Sequence, residues 1–267
     1  MSPNIAALWH RLPTDLNTLV SDCIHGGCQS LHGPDTGYVF FRADDVAVPG
    51  KQFSRMMELF ATCGVPLSLA VVPAALTRPR WQYLNGFERT NPGRWCWHQH
   101  GWRHVNHETE GKKQEFGATR TPAALQRDLV QGKMRLERIM GERFYPVFTP
   151  PWNRCSRRTL ELLKELGYAA VSRSRGSKAT LPGGLPDYYV NVDLHTRKEK
   201  RPAEGWKNLF AELTQAFTSR HCGIMIHHRM MNAAAFDFLE ILLKTLADNP
   251  KLKLVHFKDM AESAVIL

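Results

Sequence analysis

Tyr38-Val39-Phe40-Phe41-Arg42-Ala43-Asp44-Asp45 joins a short apolar run to a vicinal acidic pair. The run is bulky and β-prone, so it reads as a buried strand, and the acidic pair marks the strand's end. The same arrangement recurs downstream. Pro66 to Val72 is a second apolar run, closed by Pro73, and Trp95-Cys96-Trp97 is a third, leading into His98-Gln99-His100-Gly101-Trp102-Arg103-His104. Phe144 to Phe148 is a fourth and leads into Thr149-Pro150-Pro151-Trp152, and Tyr168 to Val171 is a fifth. Tyr188 to Leu194 is a sixth, Gly223 to Ile226 a seventh ending at His227-His228, and Lys253 to Phe257 the last.

Helical patterns lie between these runs. Phe53, Met56, Met57 and Phe60 share one face before Gly64. Thr121-Pro122 is a cap residue followed by proline at the first helical position, and that helix is expected to reach about Met140. Ser156 is expected to cap a helix that Gly167 ends, and helices are expected at Leu209 to Phe217 and at about Ala235–Ala247. Repeated strand-then-helix units argue for parallel strands with crossover helices. The expected fold is α/β: a closed or nearly closed (β/α) barrel of parallel strands with outer helices, with an open doubly wound sheet as the alternative. Residues 1–35 read as an N-terminal arm, helical over Ile5 to Leu19, followed by Gly26-Gly27 and the turn-rich Gly33-Pro34-Asp35. Residues 36–267 form the barrel domain.

The composition is that of an ordinary globular chain, but the net charge is +10. The basic residues are scattered, densest at Arg197-Lys198-Glu199-Lys200-Arg201. A solvated basic surface is therefore preferred to a nucleic-acid groove. No apolar run is long enough to span a bilayer. The six cysteines contain no Cys-x-x-Cys pair, and the first residues lack the charged and apolar regions of a secretory signal. A reduced, cytoplasmic protein is expected.

The polar residues at the strand ends carry the chemistry. His100 and His104 are four apart and would share one ion if the segment makes a helical turn. His98 has the wrong parity for that ion, and His107 lies a turn further on. Asp44-Asp45 suits metal binding, a general base, or a loop cap through local backbone bonds. His227, directly after Ile226, is expected to face the site, with His228 turned away. Two imidazoles and one carboxylate leave coordination positions open, as catalytic zinc sites do. Trp97 and Trp102 could shield such a site or stack on a sugar.

In order and spacing these residues resemble the motifs of the polysaccharide deacetylases, metal-dependent carbohydrate esterases, over about residues 38 to 260. Asp44-Asp45 looks like the first motif, His100-Gly101-Trp102-Arg103-His104 the second, Pro150-Pro151-Trp152 the third and Met225-Ile226-His227 the fifth. The resemblance implies a distorted (β/α) barrel that removes an acetyl or other acyl group from an N-acylated sugar. It implies Asp44 as base, and Asp45, His100 and His104 as ligands of one divalent metal, zinc or another transition ion. His227 would be the acid, and Pro151, Trp102 and Trp152 would sit on the substrate side, the Trp152 N–H serving the oxyanion. The chain departs from the family pattern at Val46, where a glycine is usual, and at Thr149, where an arginine is usual. Arg42 and Arg154 are the candidates to replace that arginine. In place of the usual fourth motif, an Asp followed by Trp, stands Asn191-Val192-Asp193-Leu194-His195, whose Asp193 or His195 would tune His227. The positive charge suits a phosphate-bearing sugar, such as a nucleotide- or lipid-linked precursor. A barrel that binds a glycan or polyanion without turnover is the alternative.

Overall fold

Strands that run parallel must be joined by crossovers, and the helices of this chain supply them. The computed structural model describes residues 5–29, 31 and 36–263. The expected turn at Gly33-Pro34-Asp35 lies outside the described residues. In chain order the elements are α1 (Leu16–Cys28), β1 (Gly37–Val46), α2 (Lys51–Thr62), β2 (Leu67–Val71), α3 (Arg78–Thr90), β3 (Trp95–His100) and α4 (Pro122–Met140). They continue with β4 (Phe144–Thr149), α5 (Arg157–Glu165), β5 (Ala170–Val171), β6 (Val192–Asp193), α6 (Pro202–Thr218), β7 (His221–Ile226), α7 (Ala233–Ala247), β8 (Leu252–Leu254) and α8 (Phe257–Glu262). Hydrogen bonding orders the strands β5-β4-β3-β2-β1-β7-β6, with β8 also paired to β1. The path has two ends, so the fold is a distorted, incomplete (β/α) barrel: the strand–helix alternation implies the barrel, and the family resemblance its distortion.

By its internal contacts the chain divides into two compact units. The first holds the chain up to Ala43, Gly50–Leu67 and Asn191–His256. In it, Tyr38 to Ala43 runs parallel to His221 to Ile226, and Gly37 to Val39 parallel to Leu252 to Leu254. Helix α1 packs on α6 through Gly27, where a Cβ would come within 2.6 Å of the Phe217 Cβ. The second unit holds Asp44–Pro49, Ser68–Val190 and the chain from Phe257. There β3 pairs with β4 and β4 with β5, all parallel. An apolar cluster of Phe116, Leu125, Leu129, Phe148 and Leu163 closes one side of it. Burying such side chains contributes about 1.5–3 kcal/mol each relative to exposure.

Helix starts follow local chemistry. Thr121 and Ser156 accept backbone N–H bonds from Ala124 and Thr159, and Asn232 accepts one from Ala235 at the start of α7. Gly141 ends α4 and Gly167 follows α5, both with positive φ.

Several expectations need correction. The N-terminal helix starts at Leu16, not Ile5; Ala7–His10 is only a 3-10 turn. Gly26-Gly27 lies inside that helix rather than after it, and at Gly27 close packing on α6 favours a residue with no side chain. Strand β1 does not stop at the acidic pair. It runs to Val46, whose carbonyl accepts from Val72 N–H at the end of β2. Helix α3 went unread, although Thr77 caps it and Pro79 stands in its first turn. Tyr168 to Val171 and Tyr188 to Leu194 shrink to two-residue strands. Only isolated bridges, Val171 to Asp187 and Ser174 to Val190, continue the ladder. Helix α6 begins at Pro202, earlier than expected, and β8 ends at Leu254. Phe257 instead starts α8, its N–H held by Ser68 Oγ at 3.1 Å.

Candidate metal centre

The second unit collects Asp45, His100 and His104 at the C-terminal ends of β1 and β3. Asp45 has φ 60°, a left-handed value uncommon for a residue with a side chain. That twist breaks the alternation of the strand, so both carboxylates act on His100. Asp44 is buried, while the side chains of Asp45 and His104 keep 36% and 26% of their exposure. The centre is therefore open on one side.

His100 is the last residue of β3. Its Nδ1 donates to the Thr149 carbonyl at 3.0 Å, which leaves the Nε2 lone pair for the site. His100 Nε2 lies 3.3 Å from Asp45 Oδ1, and His104 Nε2 lies 3.2 Å from the same oxygen. A helical turn, one way to bring the two imidazoles together, does not form between them. Gly101 with φ 57° and His104 with φ 58° fold the chain back instead. A Cβ at Gly101 would collide with the Glu115 carboxylate and the Pro151 ring.

One ligand atom from each of the three residues lies within 4.8 Å of the others. A tetrahedral zinc with bonds of about 2.0–2.1 Å needs ligand atoms roughly 3.3 Å apart. The two separations from Asp45 Oδ1 fit, and the donor set of one carboxylate and two imidazoles suits such an ion. Burial works against the charged form of His100, but the Asp45 hydrogen bond and the Asp44 and Asp45 charges overcome it and raise its pKa. Burial, followed by the neighbouring His100, lowers that of His104. One proton and one cation compete for the same place.

Two side chains that the sequence did not single out build this centre. Glu115 is buried, and its carboxylate accepts the backbone N–H groups of Trp102 at 3.1 Å and Arg103 at 2.6 Å. It holds the loop that carries His104. Gln99 donates to the Gly101 carbonyl at 2.9 Å and accepts from the Tyr168 hydroxyl at 2.5 Å. Glu115 sits in a polar loop with no periodic or motif signal around it.

No protein-family model and no curated protein matches the sequence. Solved structures do. A protein described as a polysaccharide deacetylase from Mycobacterium smegmatis superposes with a TM-score of 0.67 at 14% identity, covering 87% of this chain and 92% of that one. The chain has the polysaccharide deacetylase fold. A family 4 acetyl xylan esterase from Clostridium thermocellum, in complex with a cobalt ion, follows at a TM-score of 0.54 and 11% identity, covering 86% and 93%. A mutant of a family 4 pseudoenzyme gives 0.52 and 12%, covering 86% and 68%. At these identities the likeness is one of fold.

On that fold the segment Pro150-Pro151-Trp152, which resembles the third motif, turns sharply. Trp152 and Asn153 have φ 56° and 59°, and the Trp152 ring centroid lies 4.5 Å from that of His104. The Trp152 N–H takes no hydrogen-bond partner among the described residues. Pro151 is buried. Trp102 instead packs on the Phe116 cluster, with the Arg103 guanidinium over its ring. Thr149, where the family arginine would stand, spends its hydroxyl on His98 Nε2 at 2.9 Å and its carbonyl on His100. His98 is packed edge-on to Phe257, apart from the ligand set. Arg154 donates to the Lys113 carbonyl at 3.4 Å.

In the first unit, Arg42 is buried, with Nη2 3.0 Å from Met225 Sδ. Asp193 accepts the N–H groups of His195 and Thr196 at 2.9 Å and so caps its own loop. The His227 N–H donates to His195 Nδ1 at 3.1 Å, and His228 meets Phe53 edge-on at 5.5 Å. Because His195 Nδ1 accepts, neutral His195 carries its proton on Nε2. Burial, then the nearby His227 and His228, keeps its pKa well below the usual range.

Proposed function

We propose that this protein is a divergent polysaccharide deacetylase, a metal-dependent hydrolase that removes an acetyl or other acyl group from an N-acylated sugar. The observation that carries the reading is the convergence of His100 Nε2 and His104 Nε2 on Asp45 Oδ1. Asp45, His100 and His104 would hold one divalent cation, zinc for preference. When bound, it supplies Lewis-acid polarisation of the acyl carbonyl and a lowered pKa for water.

The chain's own residues do the rest. Asp44, buried beside His100, takes a proton from the attacking water. The Trp152 N–H holds the oxygen that becomes negative as the carbonyl carbon turns tetrahedral. His227 takes the acid role from its place in the motif order and protonates the leaving amine as the C–N bond breaks. His195 is assigned to steady His227, through the bond it accepts from that residue's N–H. A phosphate-bearing sugar is the preferred substrate class, supported by the net charge of +10. Residues 1–35 are read as an arm and 36–267 as the catalytic domain. A cytoplasmic location is supported by six unpaired thiols, and no helix of the described residues is long and apolar enough to cross a membrane.

Acetate release from N-acetylated sugars, with metal content measured in parallel, tests the reading. Turnover that vanishes in Asp44→Asn while the metal is retained is the expected result. Equal zinc content in wild type, Asp45→Ala and His100→Ala would remove it. One observation favours a second reading, a barrel that binds a glycan without turnover. The family's arginine is absent at Thr149, whose hydroxyl is already committed to His98. That reading predicts glycan binding, no acyl release, and indifference to Asp44→Asn.

A further inference from the structure

Beside the metal centre the second unit carries a concave pocket of about 420 Å³, within the size range of small-molecule sites. Trp152 belongs to its wall, and the same ring lies against His104. One residue, Trp152, therefore borders both the pocket and the proposed ligand set. The remaining wall is strongly basic: Lys112, Arg154, Arg173, Arg175 and Lys178 line it, with no carboxylate side chain among the lining residues.

These cations are not equivalent. Arg173 is buried and committed, with its Nε and Nη2 each 2.8 Å from Asp187 Oδ2 and its Nη1 2.7 Å from the Ala179 carbonyl. It braces the 174–179 loop instead of adding free charge. The charges of Lys112, Arg154, Arg175 and Lys178 have no carboxylate partner among the described residues. Four like charges around one concavity make its potential positive and favour an anion there. A guanidinium and an ammonium together suit the dense charge and several acceptor oxygens of a phosphoryl group better than a single carboxylate.

We propose that this pocket is an anion subsite that receives the phosphoryl group of a phosphorylated N-acyl sugar while its acyl group meets the metal centre across Trp152. The proposal rests on the hydrolase reading for the acyl end, but the phosphate end stands on the pocket alone.

Titration of the full-length protein with N-acetylglucosamine 1-phosphate, the neutral methyl glycoside and a carboxylate-bearing N-acetyl sugar, followed by calorimetry, separates the two. The phosphorylated sugar is expected to bind about ten-fold tighter or better than the neutral one. The preference should shrink as salt rises. Arg175→Ser combined with Lys178→Ser should abolish that preference and leave the neutral sugar's affinity unchanged, while His100→Ala should retain it. Equal affinity for phosphorylated and neutral sugars would overturn the subsite, whether or not acyl release is observed. A carboxylate sugar binding as tightly as the phosphate would overturn the phosphoryl assignment. Phosphate preference without any acyl release would leave the subsite standing and remove the hydrolase reading.

Discussion

Glu115 has no role in any motif, yet it ties down the backbone on which His104 stands. Its two N–H bonds come from adjacent residues, so the carboxylate fixes a turn and not a single contact. Removing it frees two donors and lets His104 wander. Supporting partners of this kind are typically worth 10–100-fold in metal affinity. Glu115→Ala is therefore expected to weaken zinc binding by about 10–100-fold, read by chelator competition, and Glu115→Gln by less. Unchanged affinity would show that Gly101 and the strand end suffice. The acidic pair divides differently: Asp45→Asn should lose the metal, whereas Asp44→Asn should keep it and lose acetate release. At this scale the sequence disclosed side chains but not their supports. The order and spacing of His100, His104, Asp44 and Asp45 at strand ends singled them out in the sequence, and the structure brings Asp45, His100 and His104 together. Glu115 and Gln99 were not legible, since buried polar partners are chosen by tertiary geometry that leaves no local pattern.

Elements explain how a strand and a loop reach the same oxygen. His100 and His104 were paired by a helical period, and the pairing survives although no helix forms. Positive φ at Gly101 and His104 achieves what one helical turn would have done. Gly101→Ala combines an unfavourable φ with a collision against Glu115 and Pro151, and should cost roughly 1–3 kcal/mol in a urea titration. A loss below a few tenths would mean that the loop relaxes freely. Regular elements with strong ends were readable. Thr121-Pro122 and Ser156 gave α4 and α5 their starts, because capping and proline chemistry are local. The two-residue strands β5 and β6 were over-read, since apolar runs say nothing of where a ladder is interrupted. Helix α3 was missed although Thr77-Arg78-Pro79 carries a start signal, because its apolar stripe is thin. The N-terminal helix was misplaced because its register is set by α6, far away in sequence.

For the whole molecule, the buried histidine His195 couples stability to pH. Burial holds its pKa well below 6.5, with His227 and His228 adding to the effect. Above pH 6.5 both folded and unfolded chains keep His195 neutral, and it contributes no pH dependence. Below 6.5 the unfolded chain takes up a proton that the folded chain refuses, so stability falls with acidification by up to about 1.4 kcal/mol per pH unit for this one group. His195→Asn, which keeps an acceptor near the Nδ1 position, should flatten that part of the profile in urea melts between pH 7.5 and 5. An unchanged slope would show that His195 protonates readily in the folded protein. The barrel was legible from the strand–helix alternation and its distortion from the motif resemblance, whereas the basic pocket was not legible. Lys112, Arg154 and the Arg175–Lys178 loop lie on three separate segments that only the fold assembles.

The account turns on one cation held by Asp45, His100 and His104. Crystals grown with zinc, with diffraction recorded on both sides of the zinc absorption edge, test this directly. The account predicts one strong anomalous peak within about 2.0–2.2 Å of an Asp45 carboxylate oxygen, His100 Nε2 and His104 Nε2. No peak there, or a peak bound only by other residues, would contradict it.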